Sequence, residues 1–341
     1  MKKTYRILSP KTWHPAVIWI LLGSLVLAAA FVSLFAGRYP LSPVSVVQTL
    51  FGHPGTDMEA NIVWNIRMPR MILTLLVGGG LATSGAAFQG VFQNPMVSPD
   101  VLSVSSGASF GAVLGIMISG YSYGVLVVSA LFFGVLSVFL TYTFAKIKGR
   151  VTTLSLILSG MVMSAFFNAL VSLAKYVADT ETQLPAITYW LLGSFASTTY
   201  THVLIIIGPV LVGIGALIAM RHKINILSLG DEEAHALGVN PTRSRLIVIF
   251  AATLITASCI TVTGIIGWVG LIIPHIARML VGPNHNRLIG ISALTGAGFM
   301  CLMDLLARTM SQSEIPVGIL TAMIGAPFFM ILFKRTRGLG K

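Results

Sequence analysis

Long apolar runs that carry almost no charge constrain this chain more than any other feature of its sequence. The first extends from Ala16 to Ala36 without an ionisable residue. Only 9% of the 341 residues are charged, whereas a soluble domain carries about 25%. Backbone inside a bilayer must be helical or form a closed barrel, and these runs are continuous rather than alternating. The sequence therefore predicts an all-α polytopic membrane protein with a single transmembrane domain over residues 1–341.

The apolar runs divide into ten predicted transmembrane helices, each close to the roughly 20 residues that a span requires. We place these spans at residues 16–36, 69–92, 99–119, 122–145, 152–175, 201–220, 245–263, 265–281, 288–307 and 317–333. The run from Leu246 to Val281 is too long for one span, and Gly264, Gly267 and Gly270 supply the turn that splits it.

The basic residues lie in short groups between the apolar runs, so the net charge of +12 does not indicate nucleic-acid binding. With both termini in the cytoplasm, all but five of the 22 Lys and Arg residues fall on the cytoplasmic side, as the positive-inside rule requires. The five on the outer side are Arg38, Arg67, Arg70, Lys175 and Arg308. The charge pattern thus predicts an even number of spans in the cytoplasmic (inner) membrane, with both termini cytoplasmic.

Several classes of site have no sequence support. Cys259 and Cys301 both lie inside apolar runs, which argues against a disulfide framework, and the seven histidines lack metal-ligand spacing. The chain contains no phosphate-binding GxxxxGK[ST] loop and no paired carboxylates or nucleophile–base arrangement. We therefore expect no enzyme activity, no cofactor and no metal site, and ATP hydrolysis would require a separate chain.

Two arginines, Arg67 and Arg70, stand at the start of the second predicted span, which we expect to begin just after them. Cations at a helix N-terminus oppose the helix dipole, so they do not favour the helix itself. They either snorkel to the membrane interface or form a pocket for the carboxylates of an extracytoplasmic partner. Asp304 and Arg308 stand four residues apart and predict an intrahelical pair, although Arg308 could instead join the other two arginines at the outer surface.

The longest internal polar stretch runs from Asn225 to Val239 and falls between the sixth and seventh spans. Within this stretch, the acidic residues 231–233 would form the first turn of a helix, where the helix dipole favours acids, and Gly238 would end that helix. The pattern predicts a short amphipathic helix across the cytoplasmic face that docks a partner, with a solvated loop as the alternative.

Eight blocks in order resemble the iron-chelate/cobalamin (FecCD-type) ABC transporter permease family, from about Arg67 to Lys334. The blocks are Arg67–Arg70, Gly85–Pro95, Ser105–Ala108, Tyr189–Ser194, Leu229–Val239, Gly270–Arg278, Asp304–Arg308 and Glu314–Gly318. The chain departs from the common family pattern at Gln93, where an arginine is frequent, and at Met96 and Ser103.

The resemblance implies a type II ABC importer permease. Its expected partners are a second copy of the chain (a homodimer), two ATP-binding ABC ATPase subunits, an extracytoplasmic substrate-binding protein and membrane lipid, but no nucleic acid. By position, the residues that match the family's binding-protein docking pockets are Arg67, Arg70 and Arg308. Those that match its ATPase-coupling element are Ser228, Leu229, Gly230, Asp231, Glu232, Glu233, Ala234, Leu237 and Gly238. Those that match its translocation gate are Asn94, Met96, Thr153 and Leu154.

The function implied by the resemblance is ATP-driven alternating access that imports a metal chelate, with an iron-siderophore first and haem or cobalamin next. A permease of the same family that imports molybdate or tungstate is an alternative. An ion-coupled secondary transporter is disfavoured, because its ion relay would need ionisable residues in mid-membrane and few occur here. A structural or assembly membrane protein is the remaining alternative.

Overall fold

The computed structural model describes residues 15–120, 122–147 and 150–338, and within these ranges the chain is almost entirely helical. The helices are α1 (Pro15–Phe35), α2 (Pro43–Leu50), α3 (Asp57–Asn61), α4 (Met68–Val91), α5 (Val104–Ser119), α6 (Tyr123–Ala145), α7 (Thr153–Val177), α8 (Gln183–Leu191), α9 (Tyr200–Leu227), α10 (Asp231–Ala236), α11 (Pro241–Thr263), α12 (Val269–Val281), α13 (His285–Thr309) and α14 (Val317–Gly338). A two-residue antiparallel pair, β1 (Lys146–Ile147) and β2 (Arg150–Val151), connects α6 to α7. The predicted cytoplasmic position of the two termini concerns residues outside the described ranges.

Seven helical segments of the described chain are long and apolar enough to cross a membrane. They contain α1, α4, α6, α7, α9, α11 and α13. Three shorter apolar helices, α5, α12 and the apolar part of α14, add to them. Each of the ten predicted segments overlaps one of these helices, and the all-α membrane fold is confirmed, while the count of ten spans stays a prediction. The short helices α2, α3 and α8 carry no apolar run of span length and were not predicted.

The predicted start of the second span is wrong. A continuous helical segment of 35 residues extends from Asp57 to Val91, through α3, a π-helical turn at Ile62–Arg67 and α4. Arg67 and Arg70 therefore lie within this segment rather than ahead of it. The helix can continue through them because both side chains are buried against internal partners and do not need to reach the membrane surface.

The predicted division of the long apolar run is confirmed. Gly264 follows α11 with a φ of 71°, and α12 begins after Trp268, which is also left-handed. The third predicted span has a break of its own, because residues Pro99–Leu102 form a 3-10 turn and Ser103 has a φ of 63° before α5 begins. Hence α5 and α12 are shorter than a full span.

Close contacts between glycines place α4 at the centre of the bundle. A Cβ atom on Gly78 would overlap the carbonyl oxygen of Gly296 in α13, and one on Gly85 would overlap that of Gly270 in α12. Lipid provides no hydrophobic drive for helix association, so helices in a membrane are held by backbone approach of this kind. Glycine at these positions therefore serves close helix packing.

The order of the helices gives the bundle two ends. The N-terminus of α4 meets the C-termini of α1 and α13 at one end, where Arg67 bonds Leu34. The C-terminus of α9 meets the N-terminus of α13 at the other end, beside α10, through Asn225 and Asn284. Following the charge distribution, we call the first the outer end and the second the cytoplasmic end.

We expect Gly78→Ala to lower the thermal unfolding midpoint of the purified protein, because the new methyl group has no room against α13. Overpacking of this kind costs about 1–3 kcal/mol. Gly215→Ala in α9 is the matched control, since nothing lies within 4 Å of a Cβ atom there. Alanine favours helix over glycine by about 1 kcal/mol, so the control should be neutral or stabilised. Equal midpoints for the two variants would contradict the packing argument.

Candidate functional site

Five charged side chains form a cluster at the outer end, which we call the outer arginine cluster: Arg67, Arg70, Asp304, Arg308 and Glu314. Arg70 donates to Asp304 through Nε at 2.9 and 3.1 Å and through Nη2 at 2.8 Å. Its Nη1 atom lies 2.9 Å from Oε2 of Glu314. Arg308 places Nε 3.6 Å from Asp304, so the predicted intrahelical pair forms but is the weaker of the two contacts.

The carbonyl groups at the C-terminus of α1 explain why the other arginines gather here. Arg308 donates to the carbonyl oxygen of Ser33 at 2.6 Å, and Arg67 donates to that of Leu34 at 2.8 Å. The last carbonyls of a helix have no partner within it, and cations near a helix C-terminus interact favourably with its dipole. Arg308, in the last turn of α13, and Arg67, just before α4, thus both satisfy carbonyl groups at the end of α1.

The three predicted docking arginines are brought together by the fold, but they are not presented on its surface. Their exposed fractions are 4% for Arg67, 6% for Arg70 and 5% for Arg308. Surface snorkelling does not describe them either, since each is bonded to protein atoms. Arg38 is exposed nearby and lines an outer concavity together with Arg308 and residues 309–312. The docking role of the three arginines remains a prediction.

At the cytoplasmic end, the predicted short helix is confirmed as α10. Asp231 in its first turn forms an ion pair of 2.6 Å with Arg245 of α11, and Ala234 is fully buried on the face of α10 that packs on the bundle. Leu229 and Leu237, which flank α10, are 62% and 58% exposed although they lie outside every span. The element is therefore firmly attached to the bundle and presents apolar side chains outward.

A hydrogen bond joins the predicted coupling element to the predicted gate. Gln93, in the left-handed region with a φ of 51°, donates from Nε2 to the carbonyl oxygen of Leu227 at 3.0 Å. Leu227 is the last residue of α9, immediately before the coupling element. Gln93 precedes Asn94, whose Oδ1 accepts from the backbone N–H of Met96 at 2.9 Å and fixes the turn.

The two predicted gate segments are connected by packing around α7. Residues Pro99–Leu102, just after Met96, pack on α7 so closely that a Cβ atom on Gly160 would overlap the carbonyl oxygen of Val101. Thr153 and Leu154 begin that same helix, and Leu154 is 66% exposed. The turn that follows Met96 therefore packs on the N-terminal half of the helix that Thr153 and Leu154 begin.

One face of α7 is exposed and partly polar along its whole length. Leu154, Met161, Ala165, Asn168 and Ser172 recur at helical spacing, and all five are exposed. No hydrogen bond to the side-chain amide of Asn168 is found within the described chain, although Ser172 donates to its backbone carbonyl oxygen. A polar side chain in a span normally faces a water-filled cavity or another helix rather than lipid. The face is therefore a candidate wall of an aqueous path or of a subunit contact.

Sequence reasoning missed three of these groups. Asn168 carried a usable signal, because a primary amide inside an apolar run needs an explanation. Glu314 appeared only within a family block, and its contact with Arg70 spans 244 residues. The bond between Gln93 and Leu227 has no local signal at all, since it depends on where the end of α9 lies.

Comparisons with known proteins agree with this geometry. A model of the FecCD transport family matches residues 25–335. The molybdate import system permease protein MolB of Haemophilus influenzae is 42% identical, over 95% of this chain and 97% of that protein. A probable iron chelatin transport system permease protein of Helicobacter pylori is 36% identical, over 96% and 99%. A solved structure, described as the inward-facing conformation of a proposed metal-chelate type ABC transporter, has a TM-score of 0.86 at 40% identity, covering 94% of this chain and 100% of that one.

We expect Asp304→Asn to destabilise the protein strongly, because it leaves Arg70 and Arg308 without their buried carboxylate. Removing one partner of a buried ion pair costs about 3–5 kcal/mol. Asp57→Asn, at an exposed position on the same side, should change the free energy of unfolding by less than about 0.5 kcal/mol. Thermal unfolding in detergent measures both, and similar midpoints would show that the Asp304 carboxylate does not hold the cluster together.

Proposed function

The chain belongs to the FecCD transport family and is a permease subunit of an ABC importer in the cytoplasmic membrane, and we propose that its cargo is a metal chelate, an iron-siderophore before haem or cobalamin. The likeness over 94% of the chain to a structure described as metal-chelate type supports this cargo. The greater identity to a molybdate permease makes molybdate, or tungstate, the alternative.

The exposed face of α7 bears on this choice of cargo. None of its side chains at Leu154, Met161, Ala165, Asn168 and Ser172 carries a charge, so a bulky chelate could pass along this face without binding tightly to it. A path with weak contacts lets cargo leave as well as enter, which transport requires. Selection among chelates would then fall mainly to the substrate-binding protein.

The same face supports a homodimer in which α7 from each copy borders a path at the two-fold axis. Closed two-fold symmetry is the commonest arrangement of homo-oligomers. An unpartnered amide at Asn168 is expensive in lipid but satisfied by water in a path or by its symmetry mate. The predicted gate residue Leu154 lies on this face and would narrow the path at its cytoplasmic end, together with Thr153, Asn94 and Met96.

Residues 228–239 are proposed to dock an ATPase subunit. The exposed side chains of Leu229 and Leu237 suit an apolar cleft, and Glu232 and Glu233 are exposed between them. Motion of an ATPase pair would be passed through the Asp231–Arg245 ion pair to α11, and through the end of α9 to Gln93 and the gate.

The outer arginine cluster is proposed to receive acidic side chains of the substrate-binding protein. Its three arginines outnumber its two acids, so it keeps a net positive charge at the outer end. Exposed Arg38 adds to the positive potential of the adjoining concavity. Complementary charge of this kind accelerates and orients protein association.

Uptake by cells that lack the chain's gene tests both the cargo and the coupling. Re-expression should restore accumulation of a radiolabelled ferric siderophore but not of molybdate; restored molybdate uptake alone would overturn the cargo assignment.

Ala234→Pro should abolish siderophore uptake while the protein still inserts into the membrane. The substitution removes the hydrogen bond from the Ala234 N–H to the carbonyl oxygen of Gly230. A proline inside a helix destabilises that helix by about 3 kcal/mol. Arg287→Ala, exposed at the cytoplasmic end but outside residues 228–239, is the control, and normal uptake by Ala234→Pro would show that α10 does not couple.

Cross-linking tests the proposed subunit contact. In a variant without Cys259 and Cys301, Asn168→Cys should yield a covalent dimer with a short bifunctional thiol reagent, because symmetry brings the two copies of the residue together. Leu204→Cys on α9 is the control, since it is 73% exposed but lies on another helix. Cross-linking of Leu204→Cys with none of Asn168→Cys would exclude α7 as the helix at the axis.

A further inference from the structure

The two carboxylates that contact Arg70 differ in how firmly they are held. Asp304 is 1% exposed and receives three hydrogen bonds from Arg70. Glu314 is 22% exposed at its side chain and contacts Nη1 alone, at 3.2 Å from Oε1 and 2.9 Å from Oε2. Asp304 is therefore a fixed part of the bundle, whereas Glu314 occupies a position from which it can be displaced.

The backbone around Glu314 also allows displacement. Asp304 belongs to α13, but Glu314 lies in the non-helical connection from α13 to α14, where residues 310–313 are exposed. Ile315 is held through the bond from its N–H to the carbonyl oxygen of Ala307, at 3.0 Å. The side chain of Glu314 can thus leave Arg70 without unfolding either helix.

A cavity of about 500 Å³ beside Glu314 offers the freed side chain a new environment. Its walls include Glu314 itself, the hydroxyl group of Ser194 and the imidazole of His202. A carboxylate that turns away from Arg70 would find hydrogen-bonding groups there instead of lipid. Release of Glu314 is therefore not opposed by the full penalty of burying an unpaired charge.

We propose that Glu314 is an internal competitor at Arg70, and that an acidic side chain of the substrate-binding protein takes its place when that protein docks. This inference rests on the docking role proposed above for the outer arginine cluster. It explains how buried arginines can serve as a docking site: in the free permease one binding position of Arg70 is filled by the chain's own carboxylate. Exchange of one carboxylate for another keeps Arg70 paired throughout.

The exchange would also signal that docking has occurred. Glu314 precedes α14 by three residues, and Gly318 in the first turn of that helix donates to the carbonyl oxygen of Gly193, at 3.2 Å. Displacing Glu314 changes the restraint on the connection that enters α14. Docking would thereby alter the restraint at the start of α14, although the partner does not contact the gate.

Glu314→Gln tests the proposal, because it removes the competing charge but keeps the size of the side chain and an oxygen that accepts from Arg70. The permease is placed in nanodiscs with its ATPase subunits, and its affinity is measured for the substrate-binding protein encoded beside it. We expect Glu314→Gln to bind at least about fivefold more tightly than the natural chain, the lower range of typical coupling between sites. Glu181→Gln removes an exposed acid from the same outer side and controls for the change in net charge; it should alter the affinity less than twofold.

A second variant and the arginine variants separate the possible failures. Glu314→Asp, one methylene shorter, should bind with intermediate affinity, and it carries the test if Glu314→Gln does not fold. Unchanged or weaker binding by folded Glu314 variants, together with weaker binding by Arg70→Ala and Arg308→Ala, would overturn the competitor role and leave docking intact. Unchanged binding by the arginine variants as well would overturn the docking proposal itself.

Discussion

The crossing of α4 with α13 is the contact on which the rest of the structure depends. At Gly78 and Gly296 the two backbones come so near that neither position has room for a methyl group. This approach places the outer ends of the helices side by side, and Arg70 reaches Asp304 across the gap at 2.8 Å. In lipid, where apolar side chains gain nothing by leaving the solvent, backbone approach and buried polar bonds must hold such a pair. The glycines therefore set the geometry and the ion pair stabilises it.

The same crossing explains why two arginines that were expected at a surface are buried. Arg67 and Arg70 were expected at a surface because arginine is expensive in a membrane and because they oppose the dipole of their own helix. The structure shows a third solution, in which orphan carbonyls of α1 and the carboxylate of Asp304 satisfy guanidinium groups inside the bundle. Their burial is compatible with the docking role proposed above, because in that proposal Glu314 gives way at Arg70 to a carboxylate of the partner.

Sequence predicted what depends on local pattern. Apolar runs predicted the apolar helices, Gly264 marked the end of α11, and the acids after Gly230 marked α10, because hydropathy, turns and caps are properties of neighbouring residues. The start of the second span was misplaced, since whether an arginine ends a span depends on partners that local sequence does not show. The contact between Arg70 and Glu314 and the bond between Gln93 and Leu227 are of that kind. The roles proposed for these residues depend on partner chains and remain predictions.

The packing also distributes the helices between two main hydrophobic clusters. At their cytoplasmic ends, α4 and α13 meet again where a Cβ atom on Gly90 would press on His285, and His285 donates its N–H to Asn225 of α9 at 2.7 Å. This unit is thus tied at both ends, from the outer arginine cluster to the start of the coupling element. The outer parts of α5, α6 and α7 form a second group with α8 around Ile116 and Ile187, while Val104, Val138 and Leu156 at their other ends join the main cluster. The exposed face of α7 belongs to that second group. A shift of α7 relative to α4 and α13 would open or close a path along this face while every buried ion pair of the first unit stayed intact, which is the division of labour that alternating access requires.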